Sequence, residues 1–147
     1  MHPKAQLQED LKAAMKAGDP DRRSVIRMAL AALKNAEVEK GGALSEDEAM
    51  EVLSAEAKKR RDSIAEMDGA GRAALAEQER RELAILEGYL PQQLSAEEIA
   101  AEARAVIAEV GAAGPKDIGN VMRALMPRLK GRADGRLVNQ VVRELLS

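Results

Sequence analysis

A chain of 147 residues with 33% charged side chains and a formal net charge of −2 has room for one domain of ordinary size or two small ones. Cysteine is absent, so disulfides, thiolate metal sites and cysteine nucleophiles are excluded. Phe and Trp are absent too, and Tyr89 is the sole aromatic residue, so a core has to be built from Leu, Ile, Val, Met and Ala. No apolar run reaches the length of a signal segment or a membrane span. These features lead to the expectation of a cytoplasmic protein.

In chain order, Leu7, Leu11, Ala14 and Met15 form the stripe of a first helix that Gly18-Asp19-Pro20 closes. A second helix runs from Asp19 or Pro20 through Val25, Ile26, Ala29, Leu30 and Leu33 towards Val38, and Gly41-Gly42 stops it. Ser45 stands three residues before Glu48, the spacing of a capping box, and opens a long third helix with Met50, Leu53, Ala57, Ile64 and Met67 on its inner side. Asp68-Gly69-Ala70-Gly71 breaks it. A fourth helix follows from about Arg72 to Leu90 on Leu75, Leu83, Leu86 and Leu90, and Pro91 ends it. Ser95 and Glu98 repeat the capping box, with Leu94 and Ile99 spaced for a hydrophobic staple.

The fifth helix carries Ile99, Ala103, Val106, Ile107 and Val110 to Gly111, and Gly114-Pro115 begins the next. There Ile118, Val121, Met122 and Leu125 recur at i, i+3, i+4, i+7 with Lys116, Asn120 and Arg123 opposite. Pro127 is expected to end or bend this helix just after Leu125. Val138, Val141, Val142 and Leu145 repeat the pattern, with Arg136, Asn139 and Arg143 on the far side and Asp134 placed to cap. No stretch alternates as a strand does. The fold class is all-α, an N-terminal long-helix domain over residues 1–92 and a compact C-terminal three-helix domain over residues 93–147.

Catalytic sets are hard to find. Carboxylates at helical spacing, such as Glu79 with Glu82, lie among Lys and Arg and read as solvated faces. His2, the only histidine, sits on a terminus expected to fray. Ser24, Ser54 and Ser63 lie inside helices, Gly69-Ala70-Gly71 lacks the strand and the lysine of a phosphate loop, and no calcium-loop spacing occurs. Neither a catalytic residue, a metal nor a cofactor is assigned.

Cations are more informative. From Gly114 onward Lys116, Arg123, Arg128, Lys130, Arg132, Arg136 and Arg143 face only Asp117, Asp134 and Glu144, so the tail is basic within an acidic chain. Arg136 and Arg143 fall on one helix face, with Arg132 in the turn before it and Lys130 beside it. Gly131 and Gly135 would let backbone approach a phosphate closely. The competing reading is that the glycines merely allow a sharp corner that Arg132 holds by bonding Asp134 or a carbonyl, and the residues alone leave the two level. A secondary cluster, Lys58, Lys59 and Arg61, wraps around its helix and reads first as a solvated face.

The run LKGRADGRLVNQVVRELL, with MRALMP before it and EGYLPQQLS at Glu87 to Ser95, resembles the GatB/YqeY family. That family includes small stand-alone YqeY-like proteins and, as a C-terminal tail, part of the GatB component of the glutamine-dependent tRNA amidotransferase. The resemblance implies tRNA contact at Lys130, Arg132, Arg136, Asn139 and Arg143, and a link to carbon-nitrogen ligase activity with glutamine as amido-N-donor. The amidotransferase's catalytic cradle has no counterpart here. The expected function is therefore a non-catalytic adaptor docking on tRNA or on a tRNA-bound enzyme. The alternatives are a protein-interaction module using the N-terminal helices, or an accessory component of a larger ligase.

Overall fold

The structure, a computed structural model, describes residues 1–129 and 131–147. Among them it shows seven α-helices and no strand: α1 Pro3–Ala17, α2 Pro20–Lys40, α3 Glu46–Gly69, α4 Ala73–Glu87, α5 Ala96–Val110, α6 Ile118–Leu129 and α7 Gly135–Leu146, with one 3₁₀ turn at Pro115–Asp117. The protein is all-α. The chain divides into two compact units, Met1–Pro91 and Gln92–Ser147.

Helix boundaries follow local chemistry. Asp19 caps α2 by accepting from the Arg22 amide, with Pro20 in the first turn where a missing N–H costs nothing. Both capping boxes form, Ser45 with Glu48 and Ser95 with Glu98. The Lys40 ammonium and the Ser45 amide hold the Glu48 carboxyl at about 2. Gly18 ends α1 at φ 65°, a left-handed conformation that a side chain would strain.

His2 departs from expectation. Its Nδ1 accepts from the Lys4 amide at 3.1 Å and its Nε2 lies 2.9 Å from the Leu44 carbonyl oxygen. A carbonyl only accepts, so Nε2 carries the proton. The terminus is tied to the segment before α3 instead of fraying.

In the first unit α2 packs against α1, α3 and α4. Its core joins Leu7, Ala14, Val25, Ile26, Ala29, Leu33, Ala49, Leu53, Ala57, Leu86 and Leu90. Met15, Val38 and Leu75, placed in stripes by periodicity, are exposed, Leu75 by 52%. A stripe narrower than half the helix circumference leaves its flanking apolar residues in solvent.

The core contains one charge. Arg60 is only 8% exposed and lies in register with Leu53, Ala57 and Ile64 on the inner side of α3. Its Nη1 donates to Glu82 at 2.7 Å and to Glu79 at 3.3 Å, and Nη2 meets the Met28 sulfur. Gln78 extends this network by donating to Asp21 and to Glu82. Glu79 and Glu82 are thus counterions of a buried guanidinium and not members of a solvated face.

The second unit packs α5 against α6 and α7, and α6 against α7. Ile99, Ala103, Val106, Val121, Leu125, Leu129, Val138, Val141, Val142 and Leu146 form its core, with Leu94 packed on it as a staple residue. Val110 is exposed. Pro127 does not stop α6, which runs on to Leu129. Pro127 sits on the exposed side, and Leu129 beyond it is drawn into the core.

Two outcomes are expected. Arg60→Leu leaves two carboxylates facing each other in a half-buried site and lowers stability by about 3 kcal/mol. Adding Glu79→Gln and Glu82→Gln should recover much of that loss, read from urea unfolding midpoints. The second concerns Tyr89, whose hydroxyl donates to Asp10 at 2.5 Å. Burial, then the Asp10 carboxylate, pushes the phenol up to about 12. Because the folded state holds this proton more tightly than the unfolded chain, the contribution is complete below about pH 10. It is lost as pH rises towards 12. Tyr89→Phe should flatten that alkaline step in a stability profile.

Candidate nucleic-acid interface

The corner between α6 and α7 is fixed from three sides. Gly131 takes φ 77°, the left-handed region in which any side chain is strained. The Arg132 amide closes on the Leu129 carbonyl. The segment before α5 then holds the outside: the Leu94 amide donates to the Arg132 carbonyl at 2.7 Å and the Gln93 side chain donates to the Gly131 carbonyl at 2.9 Å. Asp134 adopts extended geometry and accepts from the Arg136 amide at 3.2 Å, capping α7. Gln93 and Leu94 are not recognisable in the sequence as parts of this corner, because they lie far away along the chain and no local spacing marks them.

With Val138, Val141, Val142 and Leu146 buried, the opposite side of α7 presents Arg136, Asn139, Gln140 and Arg143. Arg136 and Arg143 are exposed and two turns apart on that face, about 10 Å along the axis. Arg143 Nε donates to Asn139 Oδ1 at 2.6 Å, a neutral partner that orients the guanidinium without cancelling its charge. Arg132 is exposed at the head of the helix. Its guanidinium has no ion-pair partner among the described residues, against the reading in which it locks the corner through Asp134. Lys130 lies outside the described residues.

Other cations of this unit are neutralised or lie elsewhere. Arg128 grips both carboxylate oxygens of Glu109, one of them at 3.2 Å. This contact pushes the Arg128 guanidinium up and the Glu109 carboxyl down from their ordinary values. The Ala113 amide lowers Asp117 in the same direction as any bonded carboxylate. Arg123 stands on the rim of an open groove with Met122, Met126 and Pro127.

The secondary cluster is not brought together. Lys58 is exposed, Lys59 pairs with Glu56 at 3.3 Å, and Arg61 pairs with Glu87 at 3.3 Å. Two of its three charges are spent inside the molecule. Among the described residues no group of three acidic or histidine side chains is gathered as a metal site.

With this geometry in view, the comparisons with known proteins decide the family. The model of the Yqey-like protein family matches residues 4–146. The chain belongs to the YqeY-like family. Three curated relatives bear the description "altered inheritance of mitochondria protein 41, mitochondrial". The protein from Lachancea thermotolerans is 37% identical over 101 residues, 68% of this chain and 54% of that protein. The one from Kluyveromyces lactis is 41% identical over 86 residues, 58% and 46% respectively. In Eremothecium gossypii the figures are 34% over 109 residues, 72% and 60%. The chain thus spans about half the length of the curated relatives it matches.

These names overturn the cytoplasmic expectation, since the relatives are described as mitochondrial. The cause is physical. Lack of cysteine indicates at most a reducing milieu, and no described helix is long and apolar enough to cross a membrane. Neither property distinguishes one aqueous compartment from another.

Asp134→Ala removes the cap of α7 and should cost about 1 kcal/mol of stability. In hydrogen exchange the Arg136 amide should lose its protection while amides in the middle of α5 keep theirs.

Proposed function

We propose that this YqeY-like protein is a non-catalytic adaptor whose C-terminal unit docks on folded tRNA, or on an enzyme carrying tRNA, through the corner at Arg132 and the outer face of α7. The observation that carries the reading is the outward grouping of Arg132, Arg136 and Arg143, with Arg132 lacking a carboxylate partner among the described residues and Arg143 bonded to neutral Asn139. Guanidinium groups are fork-shaped donors suited to phosphate oxygens. The likeness of this tail to that of the amidotransferase's GatB component supports tRNA as the polyanion.

The mode follows from composition. Phe and Trp are absent, and the single Tyr is engaged with Asp10, so splayed bases have no aromatic platform. Contacts fall on phosphates and 2′-hydroxyls, and recognition is of shape. The reading assigns the chain no bond-making step; glutamine-dependent amide transfer belongs to a partner where it occurs.

Titration of folded tRNA at about 50 and 200 mM salt tests it. Wild type should bind more weakly as salt rises. Arg132→Ala combined with Arg136→Ala should weaken binding at least several-fold at low salt and reduce the salt slope by about 2. Unaltered affinity and slope in this variant would refute docking through the corner, and glutaminase turnover by the purified chain would refute its non-catalytic status.

A further inference from the structure

A second group of exposed cations is present on α2. Arg23, Arg27 and Lys34 are exposed and stand at i, i+4 and i+11, within one narrow stripe about 16 Å long. None of the three has a hydrogen-bonding or ion-pairing side-chain partner among the described residues. No carboxylate occurs in the sequence from Arg22 to Ala36, although acidic residues outnumber basic ones, 25 to 23. The nearest acids are occupied: Asp19 caps the helix, Asp21 accepts from Gln78, and Glu37 pairs with Lys4 at 2.9 Å.

This differs from α3 and α4, where Lys59, Arg60, Arg61 and Arg80 each meet a carboxylate of the same unit. Lys12 and Lys16 on the adjoining α1 are exposed as well, with Glu9 the nearest exposed acid on that helix. A row of uncompensated cations within a net acidic protein is a local field that attracts a polymer of negative charge.

We infer that the outer face of α2 is a phosphate track, along which the backbone of a folded RNA lies against Arg23, Arg27 and Lys34. An anionic bilayer fits less well. The apolar side of α2, Val25, Ile26, Ala29 and Leu33, is buried in the core, and its exposed large apolar residues, Met28 and Val38, stand far apart along the helix, so α2 has no continuous apolar face to insert and no aromatic anchor on its outer face. Cations one and two turns apart on a rigid rod suit successive phosphates of a structured strand. The inference takes its class of ligand from the function proposed above, but it stands on a helix of the other unit.

The experiment compares folded tRNA and vesicles of phosphatidylcholine with phosphatidylserine as probes. The full chain is assayed as wild type, as Arg23→Ala/Arg27→Ala/Lys34→Ala, as Arg23→Lys/Arg27→Lys, and as Arg132→Ala/Arg136→Ala. The triple variant should bind tRNA about 10-fold or more weakly at about 50 mM salt, with a salt slope shallower by about 2 to 3. The lysine variant should bind as wild type does, because a phosphate track reads charge. Circular dichroism checks folding, and Arg23→Gln/Arg27→Gln replaces any variant that loses helix.

An unchanged tRNA affinity in the triple variant overturns the track. So does a loss confined to vesicle binding, or absence of tRNA binding by wild type at low salt. If the triple variant is impaired while Arg132→Ala/Arg136→Ala is not, the track stands and docking through the corner falls; the reverse result separates them the other way.

Discussion

The turn that carries Arg132 is held by one backbone hydrogen bond from outside it, from the Leu94 amide to the Arg132 carbonyl. A turn between two short helices has few internal restraints of its own. Pinning it to the segment that opens α5 couples the corner to the same staple, Leu94 on the core, that starts the three-helix unit. The Leu94 side chain packs on the core while its amide holds the turn.

Charge is sorted in both units by the same physical economy. Where a cation falls within an apolar stripe, as Arg60 does, desolvation forces it to take carboxylates with it, and Glu79 and Glu82 are consumed. Where helices run beside one another at the surface, Arg128 and Glu109 neutralise each other. Arg23, Arg27 and Lys34 on α2 are exposed cations, and Arg143 on α7 is bonded to neutral Asn139, despite the net negative total. An excess of acid in the composition thus coexists with locally basic surface, because the whole-chain charge averages over groups that already have partners.

A core almost without aromatic residues has a further consequence. Small aliphatic side chains give close helix packing but few large anchors, so much of the orientation falls to polar contacts at helix ends. His2 bridging the start of α1 to Leu44, and Tyr89 meeting Asp10, both join distant parts of the first unit in this way. Residues that look dispensable by sequence position are structural for this reason.

Local chemistry was legible in the sequence: the seven helices, both capping boxes, the Asp134 cap and most buried positions follow from period, proline, glycine and short polar residues. The family was legible in the terminal motif. Arg60 was legible in principle, since it falls in period with Leu53, Ala57 and Ile64, yet its partners come from another helix and no spacing points to them. Which flanking residues stay wet, as Leu75 does, whether α6 continues past Pro127, and which cations remain unspent were decided by tertiary structure. Periodicity determines which face of a helix turns inward. Only packing brings together groups distant in the chain, and those encounters decide whether a charge is neutralised or left for a partner.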